Sequence, residues 1–324
     1  MSTSSSGAVA KHAEKLVRVY HSKLAQGSFA ALLGSSASKI VALTRQGASF
    51  QFVLNERLTL KKQLSVSTAL AIFDDLSTIG FMGADQGCRP GVSVSLQTEL
   101  LRAVPAGTDL TLHCKIDKLG KTIGFTSMEL ALTGDRSVVV ARGSHVKYLP
   151  LGNWLLDSVI LQPAVLAPLL THGLYEDGST IFTRLGLAKP FAANIAFDNT
   201  VGVFDALGLS PVPGAASPTM QATVHQALCN PMRSFHGGAV AMAAELTAAT
   251  LARPSGLDAA AVATEMQLTY LSALPHGQVL VEASPDAHGQ PASHGVLRRG
   301  GGKGSGSAAP AVKFSVRFGT VAPL

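Results

Sequence analysis

The chain has 324 residues, 47% hydrophobic and 14% charged, with a mean hydropathy of +0.29, so apolar material for a large core is present and disorder is excluded as the main state. A net charge of +6 comes from scattered Lys and Arg, with Lys61-Lys62 and Arg298-Arg299 the tight pairs, and aromatic residues make up 6%. This excludes an extended nucleic-acid-binding tail and the stacking surface of a single-strand binder.

From Met1 to Asn55 the only acidic residue is Glu14, a composition that suits an organelle-targeting presequence in the first residues. An amphipathic helix over Lys15–Leu33, with Leu16, Val19, Tyr20, Leu24 and Phe29 apolar, accounts for the same segment. The compartment is accordingly mitochondrial or cytoplasmic. Next come an apolar helix over Ser67–Met82 and strands over Asp109–Leu119, Thr122–Leu132 and Ser137–Leu149. Residues 151–204, with Pro163, Pro168, Gly173 and Pro190, read as a partly helical connector. A second helix over Gly237–Leu251 precedes strands over Gln278–Ser284, Ala292–Arg298 and Ala311–Phe318, the last two separated by a Gly-rich loop. No apolar run approaches the ~18 residues that would span a bilayer.

These elements repeat. Leu101–Gly107 and Leu271–Gly277 share Leu, Ala, Pro and Gly at an offset of 170, and the helices upstream carry Asp74 and Glu245 at an offset of 171. The pattern predicts two copies, in domains 1–150 and 205–324. A helix apolar on nearly every side must be wrapped by its sheet. Cys88, Cys114 and Cys229 are too far apart for a CxxC metal pair and odd in number, and the Gly120-Lys121-Thr122 run lacks the leading Gly of a phosphate loop. No metal or redox cofactor is expected.

Asn230 lies six residues before His236-Gly237-Gly238, and Glu245 follows nine residues after the His. With the strand-like Glu265–Leu271, this resembles the hotdog-fold acyl-CoA thioesterases. The first copy is similar to the small thioesterase-superfamily and phenylacetate-pathway branches through Phe73–Thr78, Pro90–Val94 and Gly120–Ser127. The resemblance implies an α+β double hotdog, two antiparallel sheets each wrapping a long central helix, as a pseudo-dimer in one chain. It also implies an acyl-CoA substrate, with coenzyme A entering only as part of it, no nucleic-acid partner, no membrane span, and self-association of the fused chain.

The first copy departs from the motif, with Ser65-Val66-Ser67 at the His-Gly-Gly positions and Thr59 at the Asn position, and the second has Ala263 where the first has Ser93. Nine helical residues turn through about 900°, so His236 and Glu245 face opposite ways and cannot serve one carbonyl. A site must combine both copies, as the resemblance also implies. One site takes Asn230, His236 and Gly237 with Asp74, Ser93 and Thr78. Its degenerate counterpart takes Ser65, Val66 and Ser67 with Glu245 and Ala263. In the first, the Gly237 N–H at a helix start would hold an oxyanion, Asn230 would bond the same carbonyl or place the loop, Asp74 would act as base or nucleophile, and Ser93 would orient water. Lys118, Lys121, Arg142, Lys147, Arg298, Arg299 and Lys303 are the cations near strand ends that could meet coenzyme A phosphates. A non-catalytic scaffold in a larger assembly, or an acyl-thioester dehydratase or hydratase, are the rival readings.

Overall fold

A computed structural model describes residues 29, 38–85, 89, 91–149, 202–215, 217–230, 234–252, 261–286, 292–300 and 309–324. Residues 151–201 of the 151–204 connector, residues 301–308 of the Gly-rich loop with Lys303, and the presequence reading of the first twenty residues lie outside these.

Two helices organise the chain, α1 (Val66–Ala84) and α2 (Gly237–Ala252). Every residue of α1 is buried, as its apolar circumference requires. The Ser65 side chain caps it by accepting the Thr68 N–H at 3.1 Å. Asp85, which ends α1, is clamped by Arg89 at 2.8 Å.

The first half supplies β1 (Lys39–Thr44), β2 (Gly47–Val53), β3 (Val92–Leu100), β4 (Arg102–Ala103), β5 (Asp109–Leu119), β6 (Ile123–Leu132) and β7 (Val139–Tyr148). The second supplies β8 (Ser210–Pro211), β9 (Thr219–Val224), β10 (Val262–Tyr270), β11 (Gly277–Pro285), β12 (Ala292–Arg299), β13 (Val312–Gly319) and β14 (Ala322–Pro323). The two turns of matching sequence lead into β5 and β11, and each ends on a glycine at positive φ, 85° at Gly107 and 120° at Gly277, where a side chain would be strained.

The expectation of two separate sheets is corrected. Twelve strands form one sheet among the described residues, in the order β1-β2-β5-β6-β7-β3-β10-β13-β12-β11-β9-β8, with every neighbouring pair antiparallel. The halves merge because β3 pairs with β10, Ser95–Glu99 against Glu265–Thr269, so neither strand is left as an unpaired edge. Gln97 faces Gln267 at the centre of this seam. Reading outward from it, β3, β7, β6, β5, β2 on one side match β10, β13, β12, β11, β9 on the other.

The sheet folds around both helices: α1 lies on β2, β3, β5, β6 and β7, α2 on β10 to β13, and α1 packs on α2. Gly143 makes room for the Phe73 ring, which a Cβ there would meet at 2.5 Å. Each such buried ring contributes roughly 1.5–3 kcal/mol.

Bulges occur at matching places, between Ser93 and Ser95 in β3 and between Ala263 and Glu265 in β10. Leu96 and Thr98 face the helix, and strict alternation would turn Ser93 outward. The extra residue reverses that parity and aims Ser93 at α1.

Candidate active site

The start of α2 meets the middle of α1, and there Asp74 is buried. Ser93 donates its hydroxyl proton to Asp74 Oδ1 at 2.9 Å. That proton is spent, so the Ser93 oxygen accepts from His145 Nε2 at 2.9 Å, and His145 Nδ1 in turn accepts from Ser77 Oγ at 2.7 Å. A directed chain, Ser77 to His145 to Ser93 to Asp74, therefore ends on the carboxylate.

The facing wall is the loop that enters α2. Phe235 N–H donates to Leu274 O at 2.7 Å and His236 N–H to Leu228 O at 2.9 Å. Asn230 Nδ2 donates to Ser234 Oγ at 2.8 Å while its Oδ1 accepts the Ser234 N–H at 3.2 Å, so Asn230 places this loop. His236 Nδ1 accepts the Gly238 N–H at 3.0 Å, which fixes the ring at the start of α2. The same Nδ1 lies 3.7 Å from Asp74 Oδ2, and the ring packs on Phe29, centroids 4.9 Å apart. Phe29 is the described residue of the expected Lys15–Leu33 helix, and it is helical and buried. The Gly237 N–H donates to no partner among the described residues, as befits the first turn of a helix. Tyr270 Oη donates to Gly237 O at 3.2 Å.

Thr78 Oγ1 donates to the Asp74 backbone oxygen at 2.6 Å and accepts from Lys147 Nζ at 2.8 Å. Lys147, expected as a cation near a strand end for coenzyme A phosphates, is 3% exposed and lines the cavity. Burial lowers its pKa to about 8 against the opposing pull of Asp74 and Asp75. Burial alone would raise the Asp74 pKa, but His236, His145, Lys147 and the Ser93 hydroxyl together hold it below the usual carboxylate value. His145 is driven by burial to about 3 and is neutral at physiological pH, so its help reaches Asp74 as a hydrogen-bond dipole through Ser93.

All six residues predicted for this site, Asp74, Thr78, Ser93, Asn230, His236 and Gly237, line one cavity of 470 Å³. Ser77, His145 and Tyr270 were not foreseen as site residues. Strand parity carries the missing signal for one of them: counting by twos from buried Ala141 puts Gly143, His145 and Lys147 on the inner face of β7. Of the other strand-end cations, Arg142 pairs with Glu129 at 3.1 Å and Arg298 with Glu282 at 2.8 Å.

Glu245 of α2 reaches the start of α1 in the same manner, but there Ser67 fills the space. Its hydroxyl donates to Glu245 Oε2, and its N–H does so at 3.1 Å. The polar residues around Asp74 have apolar counterparts here: Ala248 and Ala249 for Ser77 and Thr78, Val316 and Phe318 for His145 and Lys147, each at an offset of 171, and Ala263 for Ser93 at the bulge. Burial raises the Glu245 pKa in spite of hydrogen bonds from Ser67 and Ser65.

Residues 66–148 match the family model of the thioesterase superfamily. Acyl-coenzyme A thioesterase 13 from Homo sapiens is 32% identical over 80 residues, which are 24% of this chain and 54% of that protein. The chain spans about half the length of the curated relatives it matches. Two solved structures align along most of the chain and share its fold. One, from Lactobacillus plantarum and described as an oleoyl thioesterase, covers 84% of this chain and 95% of its own at 10% identity and a TM-score of 0.52. The other, the 12:0-ACP thioesterase of Umbellularia californica, covers 83% and 96% at 7% identity and a TM-score of 0.50.

Proposed function

We propose that this chain, a member of the hotdog-fold thioesterase superfamily, hydrolyses a fatty or aryl acyl-CoA at the cavity between Asp74 and Gly237. One observation carries the reading: a buried, ionised carboxylate on α1 and a helix-start N–H on α2 that has no partner among the described residues face the same cavity. The thioester oxygen would sit at the Gly237 N–H, where the donor and the helix dipole favour the negative charge that develops on attack. Water held by Asp74 adds to the carbonyl carbon as Asp74 takes its proton. The C–S bond then breaks, and the departing thiolate recovers that proton, leaving the free acid and coenzyme A. Ser93, supported by His145, fixes the Asp74 carboxylate for this step.

In the same proposal the chain is a double hotdog, domains 1–150 and 205–324 with 151–204 between them, in which one site works. The matching strand order on either side of Gln97 and Gln267 supports the pseudo-dimer, and the apolar residues near Glu245 that stand in place of Ser77, Thr78, Ser93, His145 and Lys147 support a single working site. The test is release of free coenzyme A from medium-chain, long-chain and aryl acyl-CoAs. Asp74→Asn should lose at least ~10²-fold in kcat while Glu245→Gln keeps the wild-type rate. The reverse pattern, or no turnover of any substrate, overturns the reading.

A further inference from the structure

Asp75, next to the proposed base, has no part in the chemistry described above, yet it is 4% exposed and lines the same cavity. Among the described residues its Oδ2 has no hydrogen-bond partner. A buried carboxylate oxygen without a donor is costly, and native proteins keep few of them. The nearby cation does not satisfy it: Lys147 hydrogen-bonds to Thr78 and acts on Asp75 through its charge. Nor does the fold require a carboxylate here, because the same position of α2, 171 residues on, is Leu246, packed against the core.

We infer that Asp75 is a substrate-binding residue whose carboxylate accepts a hydrogen bond from an N–H or O–H donor on the bound acyl-CoA. This rests on the reading of the cavity as an acyl-CoA site. Two parts of such a ligand bring the donor: the amide N–H groups of the pantetheine arm, common to every CoA thioester, or a hydroxyl on the acyl chain. Two adjacent carboxylates against one ammonium also disfavour an acyl chain that ends in a carboxylate of its own.

The probes are two non-hydrolysable thioethers, S-octyl-CoA and its counterpart with a hydroxyl on the octyl chain, titrated calorimetrically into wild type, Asp75→Leu and Asp75→Asn. Asp75→Leu should raise Kd roughly ten-fold or more, as expected for loss of a charged acceptor, with thermal unfolding read alongside to show that the variant is folded. An equal rise for both probes places the pantetheine amide at Asp75, and a rise confined to the hydroxylated probe places the acyl hydroxyl there. Should Asp75→Leu unfold, Asp75→Asn, which keeps the shape but not the charge, should show a smaller rise on the same probe. Unchanged Kd values in both variants, while wild type hydrolyses octanoyl-CoA, overturn this inference alone. Asp75-dependent binding without hydrolysis overturns the activity and leaves the binding residue standing; no binding of either probe overturns both.

Discussion

Asp74 Oδ2 lies so close to the Cα of Gly237 that a methyl group on that glycine would collide with it, and would also come within 2.8 Å of Tyr270 Oη. Both neighbours are anchored, Asp74 by Ser93 and Tyr270 by its bond to Gly237 O, so neither yields cheaply. Gly237→Ala should therefore cost about 1–3 kcal/mol in stability from overpacking and at least ~10²-fold in kcat by displacing the oxyanion donor. Thermal unfolding and coenzyme A release measure the two separately. A variant with the wild-type rate would remove Gly237 from the proposed oxyanion site.

Ser93→Ala deletes the donor that holds Asp74 Oδ1 and leaves His145 Nε2 without its acceptor. A hydrogen bond to a charged group is worth about 1.5–3 kcal/mol, so kcat should fall roughly ten- to hundred-fold. KM should change little, because the group that moves orients the base. A rise in KM at constant kcat would instead make Ser93 a binding residue.

Lys147 makes two pH-dependent predictions. Its folded-state pKa of about 8 lies below the 10.5 of a free lysine, so between these values the unfolded chain binds more protons than the folded one. Stability should rise with pH across that window. Lys147→Met should lack the rise, as read from denaturant midpoints at pH 8 and 10. The same variant removes a positive charge facing Asp74, whose pKa then climbs, moving the acid limb of kcat/KM to higher pH. An acid limb at the wild-type pH would exclude Lys147 from the electrostatics of Asp74.

Glu245 behaves oppositely. Its folded pKa is raised above 4.5, so above that value the folded chain keeps a proton that the unfolded chain releases, and stability falls as pH rises through the folded value. Glu245→Gln should flatten that slope and be at least as stable as wild type at pH 7, with unchanged turnover. Urea midpoints at pH 5 and 7 test the slope. A less stable variant at pH 7 would mean that the ionised form of Glu245 is favoured in the fold.

The pairing of Asp74 with Gly237 is legible in the sequence because helix geometry sends His236 and Glu245 to opposite sides, which forces each site to draw on both helices. Ser93 is legible only as part of a motif, since strand alternation alone would turn it outward and the bulge that corrects this has no marker in the Ser93-Val94-Ser95 run. Lys147 is legible in the sequence only as a cation near a strand end, whereas the parity from Ala141 places it on the inner face of β7. The merged sheet is not legible. Which edge meets which depends on how β3 and β10 approach in space, and the alternation of Leu96, Thr98 and Leu100 or of Met266 and Leu268 specifies a buried face without naming a neighbour.

The two walls of the cavity belong to one polypeptide and meet along the seam at Gln97 and Gln267. Dilution cannot pull Asp74 away from Gly237, as it can when two separate chains share a cavity and mass action governs their meeting. Inheritance differs as well. In an assembly of identical chains every substitution appears twice, so damage at one location is damage at both. In a single chain Ala263, Val316 and Phe318 stand around Glu245 while Ser93, His145 and Lys147 stand around Asp74, and a substitution at one location leaves the other as it was.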